Sequence, residues 1–227
     1  MAISPKLDET AARERDFEHQ RALMVERHVA ARGIRDPRIL QAMREVPRHL
    51  FVPPVVQSKA YGPGALPIGA KQTISQPYIV ARMIELLELN GSEKILEIGT
   101  GTGYQAVVLS KLCAKVFSIE RINELALRAA QLFRDLRINN ASVKVFDGTY
   151  GWSDQAPFDR IIVAAAAPQV PEPLVQQLAR TGKMVIPIGS GNQQRLARVT
   201  RVGTAVQIED CGSAEFVPLV GRFGWKE

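Results

Sequence analysis

LEIGTGTGY, residues 96–104, continues without a break from the apolar run KILEI (94–98). Glycines at 99, 101 and 103 alternate with Thr100 and Thr102. Glycine tolerates positive φ and lets backbone N–H groups approach a ligand closely. An apolar strand, a glycine turn and a following helix are the opening unit of an α/β sheet. Ligands of such sheets sit beyond the carboxyl ends of the strands.

Outward from this turn the pattern alternates. Strands read at 94–98, 115–119, 142–146, 160–164 and 183–188, and helices at 103–112, 121–136 and 171–180. That alternation predicts a doubly wound, mostly parallel sheet with helices on both faces, a Rossmann-like α/β fold. After Gly189 the reading turns antiparallel, with strands at 193–202 and 205–211 around Gly203. On the other side, residues 1–15 read as disordered or loosely attached, and 16–32 as a helix with Gly33 as its stop. Asp36-Pro37 reads as a cap and first helical residue for a short helix to Val46. Residues 48–72 carry many Pro and Gly and read as a long irregular arm. A helix follows from Gln76 to Leu89. The expected organisation is an N-terminal part, 1–75, of helices and an arm covering the active site, and a core, 76–227, in one compact unit.

Composition excludes several classes. Lys plus Arg outnumber Asp plus Glu 29 to 23, for a formal charge of +6, but basic and acidic residues are interleaved. With no basic run, a solvated surface is expected rather than a nucleic-acid partner. The cysteines are Cys113 and Cys211 and the histidines His19, His28 and His49, with no metal-ligand spacing. The opening MAISPKLDETAARERDFEHQ lacks the apolar segment of a signal peptide, and no run approaches the ~20 apolar residues of a membrane span. A cytoplasmic, monomeric protein is expected.

The turn's ligand is the next question. A dinucleotide fingerprint GxGxxG from Gly99 needs glycine at 104, where Tyr104 stands. The observed ExGxGxG, with Glu97, resembles motif I of S-adenosylmethionine-dependent methyltransferases. Glu120 ends the second strand about twenty residues beyond the turn, where a carboxylate can accept both ribose hydroxyls. It also suits NAD, or a plain cap for the helix near Arg121. Asp147-Gly148 ends the third strand. The acid can accept an adenine amino group and the glycine leave room for the ring, or the pair is an ordinary turn. Ser75 precedes Gln76-Pro77 and an apolar helix, so it is either an N-cap or a chemical group. No Glu or Gln at 78 completes a capping box.

Longer strings are more specific. QTISQPYIVARMIELLEL (72–89), RGIRDPRILQAMREVPRHLFVP (32–53) and LEIGTGTGYQAVVLS (96–110) are similar to the signature of the protein-L-isoaspartate (D-aspartate) O-methyltransferases. So are DGTYGW (147–152), APFDRIIVAAAAP (156–168), PLVQQLARTGKMVIPIG (173–189) and FVPLVGRFGW (216–225). The resemblance spans nearly the whole chain from about residue 20. It implies methylation by S-adenosylmethionine of the free α-carboxylate of L-isoaspartyl residues in damaged proteins and peptides. The ester then closes to a succinimide, whose opening restores some normal aspartyl linkage.

Carried over residue by residue, the resemblance makes Ser75 the catalytic residue. It makes Thr73, Glu97, Gly99, Thr100, Gly101, Glu120, Arg121, Asp147 and Gly148 the cofactor-binding set, with no metal. Gly62-Pro63, Ala70, Lys71 and Phe146 depart from the family pattern. Lys71 either draws in the substrate carboxylate or is simply solvated. The arm at 57–72 is expected to close over the cofactor, and GSGNQQ (189–194) to offer backbone groups to the substrate peptide. The rival readings are a methyltransferase on a small molecule or RNA, an NAD-dependent oxidoreductase, and a nucleoside binder without catalysis.

Overall fold

The computed structural model describes residues 5–226. Helix α1 (Pro5–Met24) runs on through a π-turn, Val25–Val29, and a 3₁₀ turn, Ala30–Arg32, to Gly33, whose φ of 105° ends the run. Residues 5–15 are thus helical rather than disordered, and residues 1–4 lie outside the described part. The physical reason is local: proline suits the first helical position, and the following Ala-, Glu- and Arg-rich stretch favours helix. Phe17 on this helix stacks on His49 with ring centroids 3.9 Å apart.

Helix α2 (Pro37–Glu45) begins as expected, with the Asp36 carboxylate accepting the Arg38 N–H at 2.8 Å. The arm is less irregular than its Pro and Gly content suggests. It holds 3₁₀ turns at Arg48–Phe51 and Pro54–Lys59, then an antiparallel hairpin of β1 (Leu66–Gly69) and β2 (Gln72–Ile74). Strands of three or four residues are too short for a period-2 signal. The hairpin tip is Ala70-Lys71, at φ 49° and 56°, where glycine or asparagine would be the usual choice. Lys71 is exposed there. Helix α3 (Pro77–Leu86) follows, burying Val80, Ala81, Met83 and Ile84.

The alternating region forms β3 (Lys94–Ile98), α4 (Tyr104–Ser110), β4 (Lys115–Glu120), α5 (Asn123–Asp135), β5 (Ala141–Val145) and β6 (Phe158–Val163). Then come α6 (Glu172–Gln177), β7 (Leu178–Ile188), β8 (Arg195–Val202) and β9 (Ala205–Ser213). The main sheet has seven strands in the order β5-β4-β3-β6-β7-β8-β9. The first five are parallel, and β8 and β9 add antiparallel. The doubly wound fold is therefore as expected. Strand β7 starts at Leu178, inside the stretch read as helix, because Leu178 is drawn fully into the core.

From β3 the chain winds outward to β5, then returns to the opposite side of β3 as β6. The order reverses between β3 and β6, and the glycine turn lies at this switch point, where α/β sheets open a crevice. Alternate residues feed two cores. Ile95, Val116, Ile162 and Val185 face one, shared with Met24, Met43 and Phe51 of the N-terminal elements. Leu96, Ile98, Ile119 and Ile161 face the other, under α6. Among the described residues no helix is long and apolar enough to cross a membrane.

Candidate active site

At the end of β3 the chain bends sharply. Gly99 and Thr100 donate their N–H groups to the Ile119 carbonyl, at 2.8 and 3.3 Å, so the turn leans on β4. The Glu120 carboxylate holds the turn from the side. One oxygen accepts the Gly101 N–H at 2.8 Å and the other the Ile122 N–H at 3.0 Å. The side chain is almost wholly buried yet reaches the cavity wall. Each oxygen keeps acceptor capacity for a further donor. Both sequence readings of Glu120 therefore meet in one residue: it braces the entry to α5 and presents a carboxylate to a ligand. Gly103 is required by packing, since it has φ 93° and a Cβ there would stand 2.7 Å from the Phe133 ring.

The cavity over this turn encloses about 830 Å³, including its open mouth. Thr73 and Ser75 line it from the arm, and Gly99, Thr100, Gly101, Glu120, Arg121 and Gly148 from the sheet. The β1–β2 hairpin contributes Ile68 and Ile74 as one apolar wall. Ser75 is not a helix cap: Gln76 holds the N-cap position of α3, and no side-chain hydrogen bond caps that helix. The Ser75 carbonyl is held from behind by Arg48 Nη2 at 2.8 Å, while its residue faces the cavity.

Two candidates stand elsewhere. Glu97 does not line the cavity; it is fully buried beneath the turn. Strand alternation puts it on the same side as Ile95. There it accepts hydrogen bonds from Gln105 Nε2, at 3.1 Å, and from the Ser118 hydroxyl. Ser118 Oγ lies 2.5 Å from Thr100 Oγ1. Because Ser118 donates its proton to Glu97, Thr100 donates to Ser118, and the chain ties the turn to the strand floor. Glu97 is a strut under the turn rather than a direct ligand contact. Asp147 is also turned away. Its oxygens accept from Thr149 N and Oγ1, at 2.9 and 2.7 Å, and from Arg222 N at 2.8 Å. It anchors the C-terminal turn and does not line the cavity. Gly148 does reach the cavity, but the space a Cβ would need is filled by Ile98, 2.4 Å away. Packing against Ile98 alone already requires glycine here.

Burial pushes the Glu97 carboxyl up to about 7, from an ordinary value of 4.5. Between those pH values the folded protein keeps a proton that the unfolded chain has released. Stability should therefore fall as pH rises from about 4.5 to 7 and level off above, by on the order of 3 kcal/mol. In Glu97→Gln that slope should largely vanish, as urea unfolding at a series of pH values will show. An equally steep fall in the variant would place the titrating group elsewhere.

The sequence reading missed the C-terminal segment. Val217, Pro218, Leu219 and Val220 line the cavity as well. Ala166 bridges Pro218, and the Trp225 indole N–H donates to the Ala166 carbonyl at 2.9 Å, so the last residues are pinned to the end of β6. The signal was present as the apolar run FVPLV after the antiparallel strands, but nothing local says where it docks. The loop GSGNQQ does not line the cavity; Gln194 instead makes paired hydrogen bonds with the Phe216 backbone, at 2.8 and 3.0 Å. Lys71 also stands outside the cavity lining, exposed to solvent. Both cysteines are free, and among the described residues no cluster of His, Cys, Asp or Glu suits a metal ion.

A switch-point cavity with a glycine turn and a ribose-height carboxylate is common to many nucleoside-binding proteins, and the wider sequence separates them. A family model described as protein-L-isoaspartate(D-aspartate) O-methyltransferase matches residues 18–224. The chain belongs to the protein-L-isoaspartate O-methyltransferase family. Protein-L-isoaspartate O-methyltransferase 1 of Syntrophobacter fumaroxidans is 51% identical over 211 residues, covering 93% of this chain and 99% of that one. A solved structure of a protein-L-isoaspartate O-methyltransferase superposes with a TM-score of 0.80 at 26% identity, over 91% of this chain and 67% of that one. A putative protein-L-isoaspartate O-methyltransferase from Plasmodium falciparum, solved with S-adenosyl-L-homocysteine, shares the fold at a TM-score of 0.74 and 24% identity, covering 87% and 96% of the two chains.

Proposed function

We propose that the protein transfers the methyl group of S-adenosylmethionine to the free α-carboxylate of L-isoaspartyl residues in damaged proteins and peptides. The ester so formed closes to a succinimide, and hydrolysis of that ring returns part of the chain to normal aspartyl linkage. The observation that carries this reading is the position of Ser75: on the cavity wall, with a hydroxyl that caps no helix, across from the glycine turn and Glu120.

The cavity fits the cofactor in its chemistry. A buried carboxylate with spare acceptor capacity suits a pair of ribose hydroxyls, and a turn of small residues admits a ligand close to the backbone. Glu120, Gly99, Thr100, Gly101, Arg121, Thr73 and Gly148 would hold it. When bound, S-adenosylmethionine supplies an electrophilic methyl group on a sulfonium.

The remaining work belongs to the protein's own residues. The substrate carboxyl has a reference pKa of about 3.3–3.7 and is ionised at neutral pH, so no general base is needed. Ser75 Oγ–H donates to that carboxylate and holds one oxygen in line. Ile68, Val80 and Leu219 exclude water. Charge is neutralised as the methyl moves, so a dry site favours the transition state over the separated ions. Alignment of two bound reactants supplies up to roughly 7–11 kcal/mol. The working unit is a monomer acting on isoaspartyl polypeptides, with neither nucleic acid nor membrane taking part.

The test uses methyl-labelled cofactor and two peptides that differ only in an isoaspartyl or an aspartyl linkage. Base-labile label is expected on the isoaspartyl peptide alone. Equal labelling of both, or label on neither, would overturn the proposal.

A further inference from the structure

Arg48 is a fully buried cation beside the site. It is 0% exposed, in the 3₁₀ turn after α2. Its Nε donates to the Ala60 carbonyl at 2.9 Å and its Nη2 to the Ser75 carbonyl at 2.8 Å, while Nη1 has no hydrogen-bond partner. The guanidinium carbon lies 4.8 Å from the centre of the Tyr104 ring, whose buried hydroxyl interacts with the guanidinium without the geometry of a full hydrogen bond. Among the described residues no carboxylate pairs with it; the groups that act on its charge are Tyr104 and Tyr61. Burial lowers its pKa, but a guanidinium stays charged in proteins.

A buried cation facing two carbonyls and a neutral phenol, with no carboxylate beside it, is incompletely compensated. Two carbonyl acceptors could be satisfied by a neutral amide donor at far lower desolvation cost. What an amide could not supply is a net positive charge one residue behind Ser75. Arg48 does not line the cavity, but Ser75 and Tyr104, the groups it touches, both do. In so dry a position the charge acts beyond contact distance, because little water lies between to screen it.

We propose that Arg48 is a positioning residue that selects an anionic methyl acceptor. It fixes the Ser75 backbone through the carbonyl and, through its uncompensated charge, favours a carboxylate over an isosteric neutral group beside the Ser75 hydroxyl. The substrate's α-carboxylate completes the charge balance that the protein leaves open. Discrimination between a free α-carboxylate and its amide then comes from a residue the substrate does not touch. This inference rests on the isoaspartyl reading of the site.

The experiment compares two peptides that share one sequence and one isoaspartyl linkage through the β-carboxyl, and differ only in whether the α-carboxyl at that residue is free or a primary amide. Their affinities are measured with S-adenosylhomocysteine present, for the wild type, Arg48→Gln and Arg48→Lys. The wild type should prefer the acid. Arg48→Gln, which keeps a donor for the carbonyls but no charge, should lose about tenfold or more of that preference, with S-adenosylhomocysteine affinity kept within about threefold. Arg48→Lys should retain most of the preference. A general loss of packing would weaken both peptides together and leave the ratio unmoved. An unchanged ratio in folded Arg48→Gln overturns the proposal, and so does Arg48→Lys losing as much as Arg48→Gln. If Arg48→Gln fails to bind S-adenosylhomocysteine, Arg48→Lys decides alone: a kept preference supports the proposal and a lost one refutes it. A wild type without any preference would remove the functional reading itself.

Discussion

Replacing Glu120 with alanine is expected to weaken S-adenosylhomocysteine binding by roughly two to four orders of magnitude, from the loss of two hydrogen bonds to a charged acceptor at about 1.5–3 kcal/mol each. The carboxylate has two duties that the substitution removes together. It would receive the ribose hydroxyls, and it already holds the Gly101 and Ile122 N–H groups at 2.8 and 3.0 Å. Without it the glycine turn loses its side support, so the surviving contacts are less well ordered. Glu120→Gln separates the two duties. Its amide oxygen can still take the Gly101 N–H, but the charge is gone and one acceptor becomes a donor. An intermediate loss of about tenfold is expected for it. Titration calorimetry reads both. Affinity within threefold of wild type in Glu120→Ala would show that the ligand's ribose lies elsewhere. Methyl transfer should follow binding, so saturating cofactor should partly restore Glu120→Gln and leave Glu120→Ala close to inactive.

The difference between Glu120 and its neighbours explains what could be read from sequence and what could not. Strand ends are legible because β3, β4 and β6 each carry buried aliphatic residues between turn signals, and parallel winding then places their carboxyl ends on one rim. That is enough to put Glu120 at the cavity. Glu97 shares a face with Ile95, and its register partner Ser118 stands two residues before Glu120, so it lies one step beneath the rim. Motif resemblance grouped it with the ligand contacts, whereas strand register assigns it to the floor. The anchoring role of Asp147 was hidden for another reason. Its partners Thr149 and Arg222 lie two and 75 positions along, and nothing near residue 147 announces the second of them. The C-terminal wall and Arg48 are invisible on the same ground: each acts through contacts with chain distant in sequence. The β1–β2 hairpin hides because Ala70 and Lys71 occupy backbone conformations that glycine usually marks.

Ser75→Ala is expected to lower kcat/KM for an isoaspartyl peptide by about 10- to 150-fold, the equivalent of one hydrogen bond to a charged group at about 1.5–3 kcal/mol. S-adenosylhomocysteine affinity should stay near wild type, because the cofactor's principal polar partner is Glu120 and the backbone at 75 is unchanged. Arg48 keeps its grip on the Ser75 carbonyl in the variant, so the loss measures the hydroxyl alone. The competing account of Ser75 is that it caps α3, and the two accounts predict opposite patterns. A lost N-cap costs about 0.5–2 kcal/mol of stability and leaves turnover in the folded fraction intact. A lost carboxylate donor costs turnover and almost no stability. The structure favours the second, since Gln76 and not Ser75 stands at the N-cap and α3 has no side-chain cap. Unfolding curves beside steady-state rates on the same preparation resolve it. A variant that melts early yet methylates normally would return Ser75 to a purely structural role and leave the carboxylate to be held by backbone amides and the field of Arg48.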